Sequence, residues 1–380
     1  MKLFTTHFNH QFTLPDPNFT ALFIYSIFLL AIFLSLKRSK ETPMFMNVTQ
    51  TNMIRGLGIA FIVLKHVDDF LILPPQCFPV YLAEYGVTLF FFLSGYGLMR
   101  SFNRKESNLS QFIVRRIKRI FIPYWIVTVI FLMLDYLLLA KEYSFNQKVI
   151  AMLGINISRG IQFINGTWFL TLLLFFYCVF IVSTIFKRRT VQLSLIFLIP
   201  VIVFFIEKRF DLINRIAERG YFWPGPFLLI FPFGCLVGLY YEQFKKLFDH
   251  LREPRLRGFL LSFVLLSFFI ITRRFQMKYG THPNMIYQFT IVYIHQVSVI
   301  CFFTYIIGFF SSFKITSGFL VLLGSLSYEI FLLHWPFMVK YDFILFRVPL
   351  KFSFLVYFAV ICLLSYSLRK ASDFFVRTLF

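Results

Sequence analysis

Read for apolar and polar positions, the chain is a succession of long Phe, Leu, Ile and Val runs separated by short polar clusters, with almost no two-residue alternation. Runs of this length read as membrane-spanning helices, because about 20 apolar residues cross the hydrocarbon layer. The pattern predicts helices at about 19–36, 54–73, 85–99, 121–140, 167–186, 191–206, 224–241, 258–271, 286–307, 317–339 and 353–368. The expected fold is therefore an all-α integral membrane protein of eleven transmembrane helices, one leading span plus ten. A transmembrane barrel does not fit, since its strands would alternate apolar and polar positions. Lys37, Arg38 and Lys40 follow the first apolar run instead of preceding it, which fits an uncleaved span better than a signal peptide.

Composition agrees with the pattern: 58% of residues are hydrophobic, mean hydropathy is +0.74, and only 14% are charged, against about 25% in a soluble domain. The net charge of +21 resides in clusters between the apolar runs, where membrane topology requires basic residues, so nucleic acid is not an expected partner. Counted over alternate loops, 22 lysines and arginines fall on one side and 14 on the other. The bias predicts the N-terminus outside and the C-terminus in the cytoplasm. Five scattered cysteines, four of them within apolar runs, form no metal or disulfide pattern, and no metal is expected. The reading divides the chain into 1–46, a tail with one extra span and a basic linker, and 47–380, the functional membrane domain.

Against that background a few residues stand out. Arg55 and His66 lie in one apolar helix, eleven positions apart, on one face and roughly 16 Å apart along the axis. An ionisable group at mid-membrane costs about 2.5–3.5 kcal/mol or more, so it usually faces a partner or a watery site. Gly86–Met99 carries small residues with Ser94 and Tyr96. These line His66's cavity in a functional reading, with Gly95 and Gly97 as helix-packing sites in the plainer one. Arg115, Arg116, Lys118 and Arg119 crowd the start of the next span. They serve either as a topological and lipid-headgroup anchor or as a clamp for the phosphates of a nucleotide-bearing donor, which arginine's planar fork suits. Trp168 opens a later span, and Ser325, Tyr328, Glu329 and His334 fall in the tenth. Arg55 or His66 across the bundle is the expected counter-ion of Glu329.

In order, Arg-x10-His, Gly-Val-x-Leu-Phe-Phe-x-Leu-Ser-Gly-Tyr, Arg-Arg-x-x-Arg before Pro123, Thr-Trp-Phe-Leu and Ser-Tyr-x-Ile-Phe-Leu-x-His resemble the type-3 membrane acyltransferases over about residues 50–368. The resemblance implies transfer of an acyl group, usually acetyl from cytoplasmic acetyl-CoA, to a hydroxyl of a surface glycan or glycolipid. It places the protein in a bacterial cytoplasmic (inner) membrane, with no tightly bound cofactor. It also implies catalytic roles for His66 and Arg55 and donor binding by Arg116 and Arg119, with Arg115 beside them. Glu329 is the expected carboxylate orienting the imidazole, and Ser94, Tyr96, Trp168, Ser325, Tyr328 and His334 are expected around the cavity. Lys65 before His66 and Asp68 and Asp69 after it depart from the family pattern. The main alternative is a transporter or flippase for a lipid-linked or anionic substrate, using Arg55, His66 and Glu329 as a proton path.

Overall fold

A computed structural model of the chain describes residues 17–39, 44–68, 82–104, 109–155, 168–210, 227–280, 284–341, 344 and 350–379. Helix dominates. The first half holds α1 (Pro17–Leu34), strand β1 (Leu36–Arg38), α2 (Val48–Asp68), α3 (Leu82–Arg104), α4 (Leu109–Arg116), a π-turn (Ile117–Phe121), α5 (Ile122–Leu139), α6 (Phe145–Met152), α7 (Trp168–Ser183) and α8 (Arg189–Phe210). The second half holds α9 (Ile230–Leu239), α10 (Tyr241–Arg252), α11 (Arg255–Tyr279), α12 (Met285–Ser312), strand β2 (Ile315–Ser317), α13 (Gly318–Ser325), α14 (Ser327–Val339) and α15 (Leu350–Leu379).

Each of the eleven expected spans contains helix. Among the described residues, six helices are long and apolar enough to cross a membrane alone, or seven if the bent pair α13–α14 counts as one span. The shortfall has physical causes. Apolar helix in α1, α7 and α9 is shorter than a full crossing, and α2 carries Thr49, Gln50, Thr51, Asn52, Arg55, Lys65 and His66 among its apolar residues. The chain is a multi-pass integral membrane protein.

One small departure from all-α is a two-stranded antiparallel ribbon that pairs Leu36 with Ser317, Lys37 with Thr316 and Arg38 with Ile315. It ties the end of the leading helix to the start of α13, and Phe28 of α1 packs against Phe319, Phe354 and Phe358.

The middle of the bundle is α2, which packs against α3, α13 and α14. Small residues set the closeness of these crossings. A β-carbon on Gly56 would overlap the Leu320 carbonyl oxygen, and one on Gly324 would overlap that of Asn52, so α2 and α13 touch backbone to backbone.

Two irregularities shape the interior. Pro123 has no N–H to return to the Arg119 carbonyl, and the helix widens into the π-turn immediately before it. The tenth span is not one rod: α13 and α14 meet at Leu326 with a bend of 73°. There Ser325 Oγ donates to the Leu322 carbonyl at 2.8 Å and Ser327 Oγ to that of Gly324 at 2.9 Å. Hydroxyls that bond the preceding turn offer the backbone an alternative to a continued helix.

Candidate active site

The basic run, the broken helix and the polar face of α3 converge on one cavity of about 520 Å³. Arg55 reaches it from α2; Ser94, Gly97 and Ser101 come from α3; Arg115, Arg116, Lys118 and Arg119 from α4 and the π-turn; Ser325, Tyr328 and Glu329 from the break; and Arg369 and Asp373 from α15. Six cationic side chains thus face two carboxylates across one space. Like charges cluster this way only where something anionic, or water, can compensate them.

The cations are held by specific contacts. Arg55 donates to Asn52 Oδ1 at 3.2 Å, one turn earlier on its own helix. The Arg116 guanidinium lies 5.2 Å from the centre of the Tyr177 ring, a cation–π arrangement that favours the charge without neutralising it. Arg369 donates to the carbonyl of Ser325, the last residue of α13. A cation at a helix C-terminus satisfies an orphan carbonyl and meets the negative end of the helix dipole. The Tyr328 hydroxyl donates to the Ile120 carbonyl at 2.9 Å, tying the break to the basic segment.

Of the residues singled out in the sequence, Arg55, Ser94, Arg115, Arg116, Arg119, Ser325, Tyr328 and Glu329 line this cavity. His66 and His334 are not on its wall. They face each other beyond its inner end, ring centroids 5.3 Å apart, one helical turn past the wall residues Ile62 and Phe331. Tyr96 is turned elsewhere: it is buried, its hydroxyl donates to the Met46 carbonyl at 3.1 Å, and it packs on Tyr241. Trp168 packs on Phe169 and Phe227, and only Phe169 of these reaches the cavity.

Glu329 also has different company from that expected. The cations acting on its carboxylate are Arg369 and Arg119, not Arg55 or His66. It belongs to the basic end of the cavity, beside Arg369 and Arg119. Gly95 packs as a small residue should, since a β-carbon there would overlap the Phe231 carbonyl. Gly97 does not, and a β-carbon there would meet nothing within 4 Å.

Sequence reasoning missed Arg369, Asp373 and Tyr177. Arg369 reads as one more basic residue after the last span. A signal was present in the four-residue spacing of Arg369 and Asp373, which puts both on one helix face. Among the described residues no cluster of three or more His, Cys, Asp or Glu side chains is placed to hold a metal ion.

A family model described as an acyltransferase domain, acyltransferase-3, matches residues 49–369, most of the chain. The chain belongs to the acyltransferase-3 family. Comparisons with curated proteins and with solved structures give no match. The family match runs from α2 into α15 and does not include α1. Every wall residue named above up to Arg369 lies inside the match.

Proposed function

We propose that this membrane acyltransferase moves an acyl group, acetyl by preference, from cytoplasmic acyl-CoA to a hydroxyl of a cell-envelope or exported polysaccharide or glycolipid. The observation that carries the reading is the division of the site into a cationic cavity and a histidine pair just beyond its inner end. A CoA thioester has the same division: phosphates at one end and the reacting carbonyl at the end of a long, flexible arm. Arg115, Arg116, Arg119 and Arg369 suit the phosphates. Arg55 and His66, roughly 16 Å apart along one helix, span the distance towards the thioester. With the N-terminus outside, the cavity opens to the cytoplasm and His66 lies towards the outer face, where an exported acceptor would arrive.

Chemically, a sugar hydroxyl is a weak nucleophile at neutral pH. His66 takes its proton as the oxygen attacks the thioester carbonyl, the C–S bond breaks, and the sulfur leaves as a thiolate that regains the proton. The test is transfer of radiolabelled acetyl from acetyl-CoA to candidate glycans by purified protein, with His66→Ala beside the wild type. A loss of about 10²–10⁴-fold in rate with donor binding retained supports the reading. Acetylation at the wild-type rate by a folded His66→Ala protein overturns it.

A further inference from the structure

His334 is a buried titratable group that this reaction leaves idle. It is 2% exposed, and its Nδ1 lies 2.9 Å from the Phe331 carbonyl oxygen and 3.1 Å from that of Ile330. Both neighbours are acceptors only, so Nδ1 carries the hydrogen and Nε2 keeps a bare lone pair. That Nε2 is buried and meets no hydrogen-bond partner among the described residues. A buried polar atom without a partner is costly, and a leucine or phenylalanine on this apolar helix would avoid that cost. The ring is also kept from turning away. Its tautomer is set by α14's own backbone, the Phe331 ring lies 5.9 Å from it, and the Tyr357 hydroxyl holds the His334 carbonyl at 2.5 Å. What it faces is His66, at a centroid separation of 5.3 Å and an interplanar angle of 39°. The two rings are neighbours without a hydrogen bond between them, so Nε2 is left open to a ring nitrogen of His66 that turns towards it.

We propose that His334 is the proton-holding partner of His66, its Nε2 accepting a hydrogen bond, and then the proton itself, from the imidazolium that forms during acyl transfer. The inference rests on the acyl-transfer reading. The acceptor O–H bond breaks and its proton passes to His66 while the oxygen bonds to the acyl carbon and the C–S bond breaks. The proton is shared with His334 Nε2 and returns through His66 to the departing thiolate, leaving an ester and a free thiol. The role resembles that of the third group of a hydrolase triad, which holds the imidazole and stabilises its charged form. A neutral imidazole does this without bringing a permanent charge into an apolar bundle.

The test separates this role from packing. His334→Asn keeps a side-chain N–H donor near the position of Nδ1 and removes Nε2. His334→Gln places an amide near Nε2. The expected result is a kcat about 10–10²-fold lower in His334→Asn, within the range for an acid–base group, with donor KM and Tm unchanged. His334→Gln should recover part of the loss. The proton inventory of kcat in mixed light and heavy water should be bowed for the wild type and straight for His334→Asn. Wild-type kcat in a folded His334→Asn protein overturns the inference and leaves the acyl-transfer reading intact. So does parallel loss of Tm and kcat in both variants, which would mark His334 as structural. Absence of transfer by the wild type itself overturns the reading and the inference with it.

Discussion

Asp135 and Lys340 form an ion pair with no exposed surface on either side chain, Nζ to Oδ2 at 2.8 Å, joining the end of α5 to the end of α14. Asp135 also accepts from the Tyr143 hydroxyl at 2.7 Å and the Tyr341 hydroxyl at 2.5 Å. Lys340 lies 5.6 Å from the Phe131 ring centre and 5.2 Å from that of Tyr341. Such a pair contributes little net stability against an apolar replacement, yet removing one partner strands a buried charge at a cost of about 3–5 kcal/mol. Lys340→Met keeps length and apolar contact while removing the ammonium. Asp135→Asn keeps an acceptor for the two tyrosines while removing the carboxylate. Each single change should lower Tm by ~5 °C, because an unfolding entropy of about 2.1 cal/mol/K per residue over 380 residues makes 1 kcal/mol worth roughly 1.3 °C. The double change leaves no unpaired charge, so it should cost less than either single change. The assay is thermal unfolding of detergent-solubilised protein at a fixed scan rate, because membrane proteins of this size unfold irreversibly and only rates compare. Single variants within about 2 °C of wild type, or a double variant showing the sum of the two losses, would refute the coupling. Donor binding should survive at temperatures where the variants remain folded, since neither residue reaches the cationic cavity.

Two further outcomes follow from the cavity. Arg116→Gln with Arg119→Gln should weaken acetyl-CoA binding by at least about tenfold, since a charge-assisted hydrogen bond contributes roughly 1.5–3 kcal/mol; unchanged affinity by calorimetry would remove both residues from the donor site. The two glycines of the Ser94–Gly97 stretch should behave oppositely. Gly95→Ala forces α3 away from the Phe231 backbone and should destabilise by about 1–3 kcal/mol. Gly97→Ala meets open space and should stabilise by up to about 1 kcal/mol, whereas Gly97→Phe should fill the cavity and weaken donor binding without lowering Tm.

Local sequence determined which segments are helical and apolar, because transferring a run of side chains from water to hydrocarbon depends on that run alone. It also placed Arg55, Arg115, Arg116 and Arg119 as charges in need of a purpose, since a cation beside or within an apolar helix is costly wherever the helix packs. The motifs in order identified the family before any contact was known. What it could not determine was company. Asp135 and Lys340 are 205 residues apart, and no local pattern pairs them. Arg369 looks like a topological charge until α15 lies against the broken α13–α14 span, where it meets the Ser325 carbonyl and shares a cavity with Glu329. Gly95 and Gly97 are two positions apart and therefore about 200° apart around the helix. Which one meets a backbone and which opens into a cavity depends on where α9 packs. Tyr96, expected beside the cavity, turns to the opposite side for the same reason. Periodicity fixes the angles between side chains on one helix, while only the packing of helices decides which angle faces the site.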